Sequence, residues 1–150
     1  MELILWRHAD AAEGEPDLER KLTAKGRKQA ARVAKWLLAR LPSRFTVLAS
    51  PARRGQETAA ALGAPVKTVA ELAPGAGIEE ILGAAGWPEG RKPVIIVGHQ
   101  PDLGRAAAYA LSGMRVNCSI KKGGLWWLES RAREGERQVV VRAVLAPDLL

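Results

Sequence analysis

Short apolar runs of strand length alternate with helix-like patterns along most of the chain, and this alternation constrains the fold more than any other feature. Runs typical of strands cover residues 2–6, 45–49, 66–69 and 93–97. Patterns with helical spacing cover residues 23–41, 51–62, 78–85 and 101–111. Strands that alternate with helices predict an α/β fold, a three-layer α/β/α sandwich whose sheet is mostly parallel.

The C-terminal part departs from that alternation. Two further strands are predicted over residues 124–129 and 138–145, with a turn at 133–136 and no helix between them. Neighbouring strands joined by a short turn pair antiparallel, so we expect an antiparallel strand at one edge of the sheet. The 150 residues contain no repeat and no linker-like tract, which predicts a single domain over residues 1–150.

The balance of charges favours anionic partners. The formal net charge is +7, which attracts nucleic acids, phosphoproteins and small phosphate esters alike. On the first predicted helix, Lys28, Arg32 and Lys35 recur at helical spacing opposite an apolar stripe. Such a face is typical either of a solvated surface or of a docking surface, and the sequence leaves both open.

Several absences predict a cytoplasmic protein that does not enter a membrane. The chain has no apolar run of bilayer length, and its first residues lack a basic leader and a cleavage site. The single cysteine, Cys118, cannot form an internal disulfide. Two histidines and one cysteine show no metal-ligand spacing, so we expect neither a metal nor another cofactor.

Arginine and histidine side chains follow three of the predicted strands. Arg7 and His8 follow the first strand, Arg53 and Arg54 lie just after the second, and His99 follows the fourth. Both histidines of the chain are among them. Because ligands bind outside the carboxyl ends of parallel strands, the sequence predicts an anion site at that edge of the sheet.

The two arginines of the second cluster lie in an unusual place. Ser50 and Pro51 predict the N-cap and first residue of a helix, whose first turn favours carboxylates over cations. A local rule broken in this way often marks a functional position. Glu57 lies four residues after Arg53 and predicts an ion pair with it, which leaves Arg54 for an anionic ligand.

Four segments resemble, in the same order, the motifs of the histidine phosphatase superfamily. They are Leu5-Trp6-Arg7-His8-Ala9-Asp10-Ala11, Leu22-Thr23-Ala24-Lys25-Gly26 with Gln29-Ala30, Ser50-Pro51-Ala52-Arg53-Arg54-Gly55-Gln56-Glu57-Thr58, and Gly98-His99-Gln100-Pro101. The last has the form seen in the SixA-type phosphohistidine phosphatases. Ala9 stands where glycine is commoner, and Gly55 stands in an alanine position.

The resemblance implies a phosphoglycerate mutase-like fold and a metal-independent phosphatase. His8 would be the nucleophile and become transiently phosphorylated, while Arg7, Arg54 and His99 would bind the phosphoryl group. These residue types suit phosphoryl transfer, because guanidiniums neutralise the phosphoryl oxygens with a fixed geometry. A neutral imidazole is a competent nucleophile near pH 7, and one cationic imidazole nearby can add a further hydrogen bond.

The proton donor to the leaving group is the least defined part of the predicted site. Many relatives carry a carboxylate in an insertion after the third strand, where this chain is short. Glu71 is the positional candidate, while Asp10 and Asp102 flank the motifs. The alternatives to a catalytic role are that Glu71 is a surface carboxylate and that Asp102 is an ordinary helix N-terminal residue. A phosphoramidate substrate needs the acid less, because imidazole leaves more readily than an alkoxide.

The sequence therefore favours a phosphatase that acts on phosphohistidine in a protein. The alternatives are a phosphatase of small phosphate monoesters and a phosphate-binding module without turnover. A nucleic-acid partner is not expected, because the aromatic residues fall mainly in predicted strands rather than among surface cations. Lys121 and Lys122 fit either a phosphate contact or a solvated turn.

Overall fold

One six-stranded sheet runs through the computed structural model, which describes residues 1–150. Its strands are β1 (Glu2–Arg7), β2 (Thr46–Ala49), β3 (Lys67–Thr68), β4 (Val94–Gly98), β5 (Leu125–Arg133) and β6 (Glu136–Leu145). The spatial order is β3-β2-β4-β1-β5-β6, in which β1 to β4 pair in parallel and β5 and β6 pair antiparallel. This confirms the mostly parallel sheet with an antiparallel edge.

Helices cover both faces of the sheet. They are α1 (Ala24–Leu38), α2 (Arg53–Ala60), α3 (Ile78–Ala85) and α4 (Asp102–Ser112), joined by short 3₁₀ helices at Asp17–Glu19, Ala70–Leu72 and Pro147–Leu149. The helices α1 and α2 pack on one face, and α3 and α4 pack on the other. The three-layer α/β/α arrangement is confirmed. None of the helices has the length and apolar character needed to cross a membrane.

The central strand β1 separates two apolar cores. Ile4 and Trp6 face the core beneath α1 and α2, whereas Leu3 and Leu5 face the core beneath α3 and α4. All four side chains are fully buried, because successive residues of a strand point to opposite faces. A strand covered on both faces needs apolar residues at every position, which explains the continuous apolar runs of β1 and β4.

Two predicted boundaries are wrong near the site edge. The helix α2 begins at Arg53 with Ala52 as its N-cap, so Ser50 is not the cap. The amide of Ser50 donates to the carbonyl oxygen of Val97 at 3.0 Å, which keeps Ser50 on the sheet. The strand β3 has only two residues, both exposed, where four were predicted.

The start of α1 lies directly against the segment that follows β1. Thr23 caps the helix, since its hydroxyl accepts the amide of Gly26 at 2.9 Å. The carbonyl oxygen of Asp10 accepts the amide of Thr23 at 3.0 Å. A Cβ atom on Gly26 would lie 2.0 Å from that same carbonyl oxygen. Glycine at this position therefore lets α1 approach the chain two residues beyond His8.

We expect Gly26→Ala to lower the free energy of unfolding by about 1–3 kcal/mol, because the added methyl overlaps backbone that cannot move aside cheaply. Chemical denaturation monitored by circular dichroism measures the change. Gly83→Ala in α3 is the matched control, since a Cβ atom there meets nothing within 4 Å. The control is expected to raise stability by up to about 1 kcal/mol. Equal stabilities for the two variants would contradict the close approach at Gly26.

Candidate active site

The carboxyl ends of β1, β2 and β4 are joined at one edge of the sheet. Arg7, the last residue of β1, is paired in register with Gly98 at the end of β4. The amide of His8 donates to the carbonyl oxygen of Gly98 at 3.0 Å. Ser50, next after β2, is joined by its amide to β4 in the same way. The carboxyl ends of these three strands thus meet at one edge of the sheet, as the prediction of a parallel sheet implied.

His8 is buried, and the contacts of its ring define one tautomer. Nδ1 lies 2.8 Å from the carbonyl oxygen of Ala9. Because a carbonyl oxygen only accepts, Nδ1 carries the proton and Nε2 keeps its lone pair. Burial is the main reason that the pKa of His8 is lowered to about 4, with the charges of Arg54 and Arg7 adding to the effect. Nε2 is therefore a neutral nucleophile at pH 7.

His99 lies beside His8, with 5.2 Å between the two ring centroids. Its Nε2 lies 2.7 Å from the hydroxyl oxygen of Ser50, whereas its buried Nδ1 has no partner in the protein. Burial, followed by the charges of His8 and Arg54, lowers the pKa of His99 to about 3. Both imidazoles are therefore neutral in the free protein at pH 7.

The Ser50 hydroxyl sets the tautomer of His99. Its oxygen already accepts the amide of Ala52 at 3.1 Å, and its single proton is free to be donated. Donation to Nε2 places the ring proton of His99 on Nδ1, the nitrogen without a protein partner. The opposite tautomer would leave a buried lone pair beside an anion site. We infer that His99 donates through Nδ1.

Both predicted arginines are held by one end of the guanidinium. Nη1 of Arg7 donates to the carbonyl oxygen of Ile120 at 2.8 Å. Nη1 of Arg54 donates to the carbonyl oxygen of Asp17 at 2.8 Å, and its Nη2 donates to the Asp17 carboxylate at 3.1 Å. The Nε atoms of both arginines are buried and have no protein partner. Each side chain is fixed while its buried Nε–H stays free.

Three of the four buried, unpaired side-chain nitrogens in the protein belong to this cluster. They are Nε of Arg7, Nε of Arg54 and Nδ1 of His99, and the fourth belongs to Trp127. A buried donor without a partner costs about 1–3 kcal/mol, so a concentration of them marks a place where a ligand supplies the acceptors. Three donors around a nucleophilic nitrogen suit a tetrahedral oxyanion.

Thr58 ties the nucleophile to the helix that carries Arg54. Its hydroxyl accepts the amide of Ala9 at 3.0 Å and donates to the carbonyl oxygen of Arg54 at 2.7 Å. The side chain is fully buried, so water does not compete for these bonds. One threonine therefore fixes the distance between the end of β1 and the first turn of α2.

The two candidate lysines lie on a segment that closes over the end of β1. The amide of Gly123 donates to the carbonyl oxygen of His8 at 3.0 Å. Lys122 forms an ion pair with Asp10 at 3.1 Å, and Lys121 lies 3.8 Å from Asp148. Both lysines are thus engaged with carboxylates at the rim of the site.

Arg53 behaves as the sequence predicted. Its Nε lies 3.1 Å from the Glu57 carboxylate, and its side chain is 57% exposed. Glu57 also accepts the amide of Leu22 at 3.0 Å, which links α2 to the segment before α1. The ion pair accounts for Arg53, and the buried neighbour Arg54 belongs to the cluster.

The three candidate carboxylates have separate places. Glu71 is exposed on the 3₁₀ helix Ala70–Leu72 and lines a hollow of about 410 Å³ that no residue of the arginine–histidine cluster lines. Asp102 is buried in the first turn of α4, where it accepts the amide of Gly75 at 2.8 Å. Asp10 accepts the hydroxyl of Thr23 at 2.7 Å, the main reason that its pKa is lowered. The role of Glu71 stays a prediction.

Asp17 is the site residue that the sequence did not reveal. Its carboxylate lies 3.1 Å from both Arg20 and Arg54, and hydrogen bonds from these two side chains, Arg20 first, lower the pKa of Asp17. It lies in the irregular chain between β1 and α1, where no periodic pattern points to any residue. Its only sequence signal is Pro16-Asp17, a dipeptide typical of a turn.

Comparison of the sequence with protein families gives one match over most of the chain. The model of the histidine phosphatase superfamily (branch 1) matches residues 3–102. An uncharacterised protein of Picosynechococcus sp. is 35% identical in an alignment 151 residues long, which covers 88% of this chain and 87% of that protein. An uncharacterised protein of Mycobacterium tuberculosis is 36% identical over 102 residues, which cover 63% of each chain.

Solved structures show the same architecture. The protein histidine phosphatase SixA, solved with tungstate, has a TM-score of 0.83 over 99% of both chains, with 23% identity. A protein from Nakamurella multipartitia named for the phosphohistidine phosphatase SixA has a TM-score of 0.79 and 27% identity, covering 97% of this chain and 95% of its own. These matches confirm the phosphoglycerate mutase-like fold that the motifs implied.

The low pKa values predict how stability depends on pH. The folded pKa of His8 is about 4, below the value of about 6.5 in an unfolded chain. Between these values the unfolded state binds a proton that the native state does not, so the free energy of unfolding falls as the pH is lowered from about 6.5 towards 4. Denaturation at several pH values measures this, and His8→Asn is expected to reduce the slope. Titration of His8 near pH 6.5 in NMR spectra would contradict it.

Removing the Ser50 hydroxyl should allow the His99 ring to populate both neutral tautomers. In Ser50→Ala, we expect the ¹⁵N chemical shifts of His99 to move from a pure Nδ1–H form towards a mixture. The affinity for inorganic phosphate should fall about tenfold or more, because one charge-assisted hydrogen bond is weakened.

Ser50→Thr keeps the hydroxyl and is the matched variant, expected to retain both the tautomer and the affinity. A Ser50→Ala protein that folds normally and keeps the Nδ1–H form would show that Ser50 does not set the tautomer.

Proposed function

The chain belongs to the histidine phosphatase superfamily, in its SixA-type branch, and from that membership we propose that it removes the phosphoryl group from phosphohistidine on a protein, through a phosphorylated His8. The phosphatase activity follows from the family. The substrate and the intermediate are the proposal, and the arrangement around His8 supports them.

The observation that carries the proposal is the set of unpaired buried donors around a neutral His8. Nε of Arg7, Nε of Arg54 and Nδ1 of His99 are suited to bind three oxygens of one phosphoryl group. The similar SixA structure was solved with tungstate, a tetrahedral oxyanion with the shape of phosphate.

The first chemical step transfers the phosphoryl group to His8. Nε2 of His8 attacks phosphorus, and the bond from phosphorus to the substrate imidazole breaks. The electron pair stays on the departing nitrogen, and the proton on the other nitrogen of that ring makes the leaving group a neutral imidazole. The two guanidiniums and His99 stabilise the phosphoryl oxygens as charge redistributes. The positive charge that develops on the His8 ring is stabilised by the Nδ1–H bond to the carbonyl oxygen of Ala9.

The second step regenerates the enzyme. Water attacks the phosphorus of phospho-His8, the bond to Nε2 breaks, and its electron pair returns to the ring. The released proton passes to the phosphate or to solvent, and inorganic phosphate leaves. The low pKa of His8 favours this step, because a weakly basic nitrogen is a good leaving group.

The nature of the leaving group favours a phosphoramidate over a phosphate ester. The carboxylates of Asp10, Asp17 and Asp102 already accept hydrogen bonds from neighbouring groups. Hydrogen bonds to Asp10 and Asp17 also lower the pKa of each of these two carboxyls. Glu71 lies on a different hollow. A departing imidazole has a pKa near 6.5 and needs less help from an acid than an alkoxide does. Phosphohistidine therefore fits the site better than a monoester, for which Glu71 would be the proton donor.

Trapping the intermediate tests the mechanism. After the protein is mixed with a ³²P-phosphohistidine peptide and quenched in alkali, we expect label on His8. In His8→Ala the label should be absent and turnover should fall at least about 1000-fold, because the nucleophile is gone.

Glu71→Gln is the control variant for the same experiment. On the phosphohistidine peptide it should keep both the label and the turnover of the unmodified protein, because the imidazole leaves without that carboxylate. Label on another residue, or turnover by His8→Ala, would contradict the role of His8. A severe loss in Glu71→Gln would instead indicate that Glu71 protonates the leaving group.

A further inference from the structure

The helix α1 carries a stripe of positive charge that the active site does not use. Its 15 residues include five lysines and arginines and no acidic residue. Four of the cations, Lys25, Lys28, Arg32 and Lys35, fall within about 80° of one another around the helix, at 100° per residue. We call these four residues the α1 stripe.

The α1 stripe works against the stability of its own helix. Lys28 and Arg32 are like charges four residues apart, and the other neighbours along the stripe are three apart, spacings at which like charges repel. Lys25 also lies in the first turn, where the helix dipole disfavours a cation. A merely solvated helix face commonly mixes charges of both signs, so a face of one sign points to an anionic partner.

No ion pair within the protein neutralises the stripe. None of its four cations forms an ion pair, although nine ion pairs form elsewhere. Lys25, Lys28 and Arg32 line a hollow of about 360 Å³ together with Gln29, Pro147 and Asp148. The one carboxylate there, Asp148, lies 3.8 Å from Lys121. The hollow is therefore strongly positive and open to a carboxylate from outside.

The stripe begins at the rim of the active site. Gln29, on the same hollow, accepts the amide of Asp10 at 2.9 Å, two residues after the nucleophile. The Asp10 carboxylate is influenced by Lys25 on one side and pairs with Lys122 on the other. Cationic side chains on both sides of Asp10 thus connect the chain beside His8 with the α1 stripe.

We propose that the α1 stripe is the docking surface for an acidic face of the phosphorylated protein substrate. The inference rests on the proposed function and names the kind of partner that the same site takes. Carboxylates next to the phosphorylated histidine would enter the hollow while the phosphoryl group reaches His8. Complementary charge would steer the encounter and fix the orientation of the substrate.

Features of the helix favour an acidic protein over a nucleic acid. Single-stranded nucleic acids bind where exposed aromatic rings alternate with cations. The one aromatic residue of α1, Trp36, is half-buried, stacks edge-on against Trp127 at 6.0 Å, and is covered by Arg40 at 4.4 Å. No ring on the stripe is free to stack on a base.

Reversing charge in the stripe tests the proposal. Two phosphohistidine peptides of equal length serve as substrates, one flanked by glutamates and the other by serines. We expect the protein to hydrolyse the glutamate peptide with a kcat/KM at least tenfold higher at low salt. In the Lys28→Glu, Arg32→Glu double variant, and at 0.5 M salt, the difference should vanish. Free phosphohistidine should be hydrolysed at an unchanged rate by both proteins.

Arg131→Glu with Arg133→Glu is the matched control. Both residues are exposed on β5, which runs antiparallel to β1, at the end of the sheet opposite the active site. This variant has the same net charge as the stripe variant and should keep the preference for the glutamate peptide. Equal loss in both double variants would mean that only net charge matters, which would overturn the docking surface.

The two proposals fail in different ways. Equal hydrolysis of both peptides would overturn the docking surface and leave the phosphatase mechanism standing. If neither peptide is hydrolysed, the proposed function fails. Fluorescence anisotropy of the unphosphorylated glutamate peptide then tests the docking surface by itself. Binding of this peptide that is lost in the Lys28→Glu, Arg32→Glu variant supports the docking surface. No binding by the unmodified protein overturns it. Single-stranded RNA that binds the stripe more tightly than the glutamate peptide would also overturn it.

Discussion

The placement of a buried guanidinium, Arg54, and a half-buried one, Arg7, beside two buried imidazoles is the constraint on which the rest of the site depends. A buried arginine keeps its charge, so each guanidinium needs acceptors that replace water. For Arg7 the acceptor is the carbonyl oxygen of Ile120, and for Arg54 it is the carbonyl oxygen and carboxylate of Asp17. These bonds engage Nη1 of Arg7 and both Nη atoms of Arg54, and they leave the two Nε donors for a ligand. The segments that supply them, before α1 and before β5, must fold over the sheet edge for the site to exist.

The same positive charge explains why the histidines are neutral. Each imidazole lies in a buried place near two guanidiniums, and both causes lower its pKa. Protonation of either ring would add a third positive charge, whereas a bound phosphate offsets the two already present. The site therefore keeps a nucleophilic lone pair on His8 without a dedicated general base. The ring proton positions follow from hydrogen bonds rather than from charge: His8 donates to the carbonyl oxygen of Ala9, and His99 contacts the Ser50 hydroxyl.

The grouping of Arg7, His8, Arg54 and His99 could be predicted because each lies at or shortly after the end of a predicted strand. A strand-length apolar run followed by Arg7 and His8, or by His99, locates the residue at one edge of a parallel sheet without knowledge of its neighbours. Asp17 and the role of Ser50 could not be predicted in this way. Their contacts join residues 37 and 49 positions apart, and only the folded chain decides which irregular segment reaches the cluster. The prediction of Ser50 as an N-cap was wrong for the same reason, because the Ser50 hydroxyl contacts His99, which follows a different strand.

The active site and α1 both present positive charge to an anionic partner, the first in a buried cluster and the second on the protein surface. In the buried cluster, few charges act strongly because water is excluded, and they bind a group as small as phosphate. On α1 the charges are solvated and screened within about 8 Å at physiological salt, so several must act together to orient a large partner. A metabolite would gain little from such a surface, because it is too small to reach both places. A protein substrate gains from both, since its phosphoryl group satisfies the buried donors while its own carboxylates relieve the repulsion along the helix. The stripe thus supports a macromolecular substrate independently of the chemistry of the leaving group.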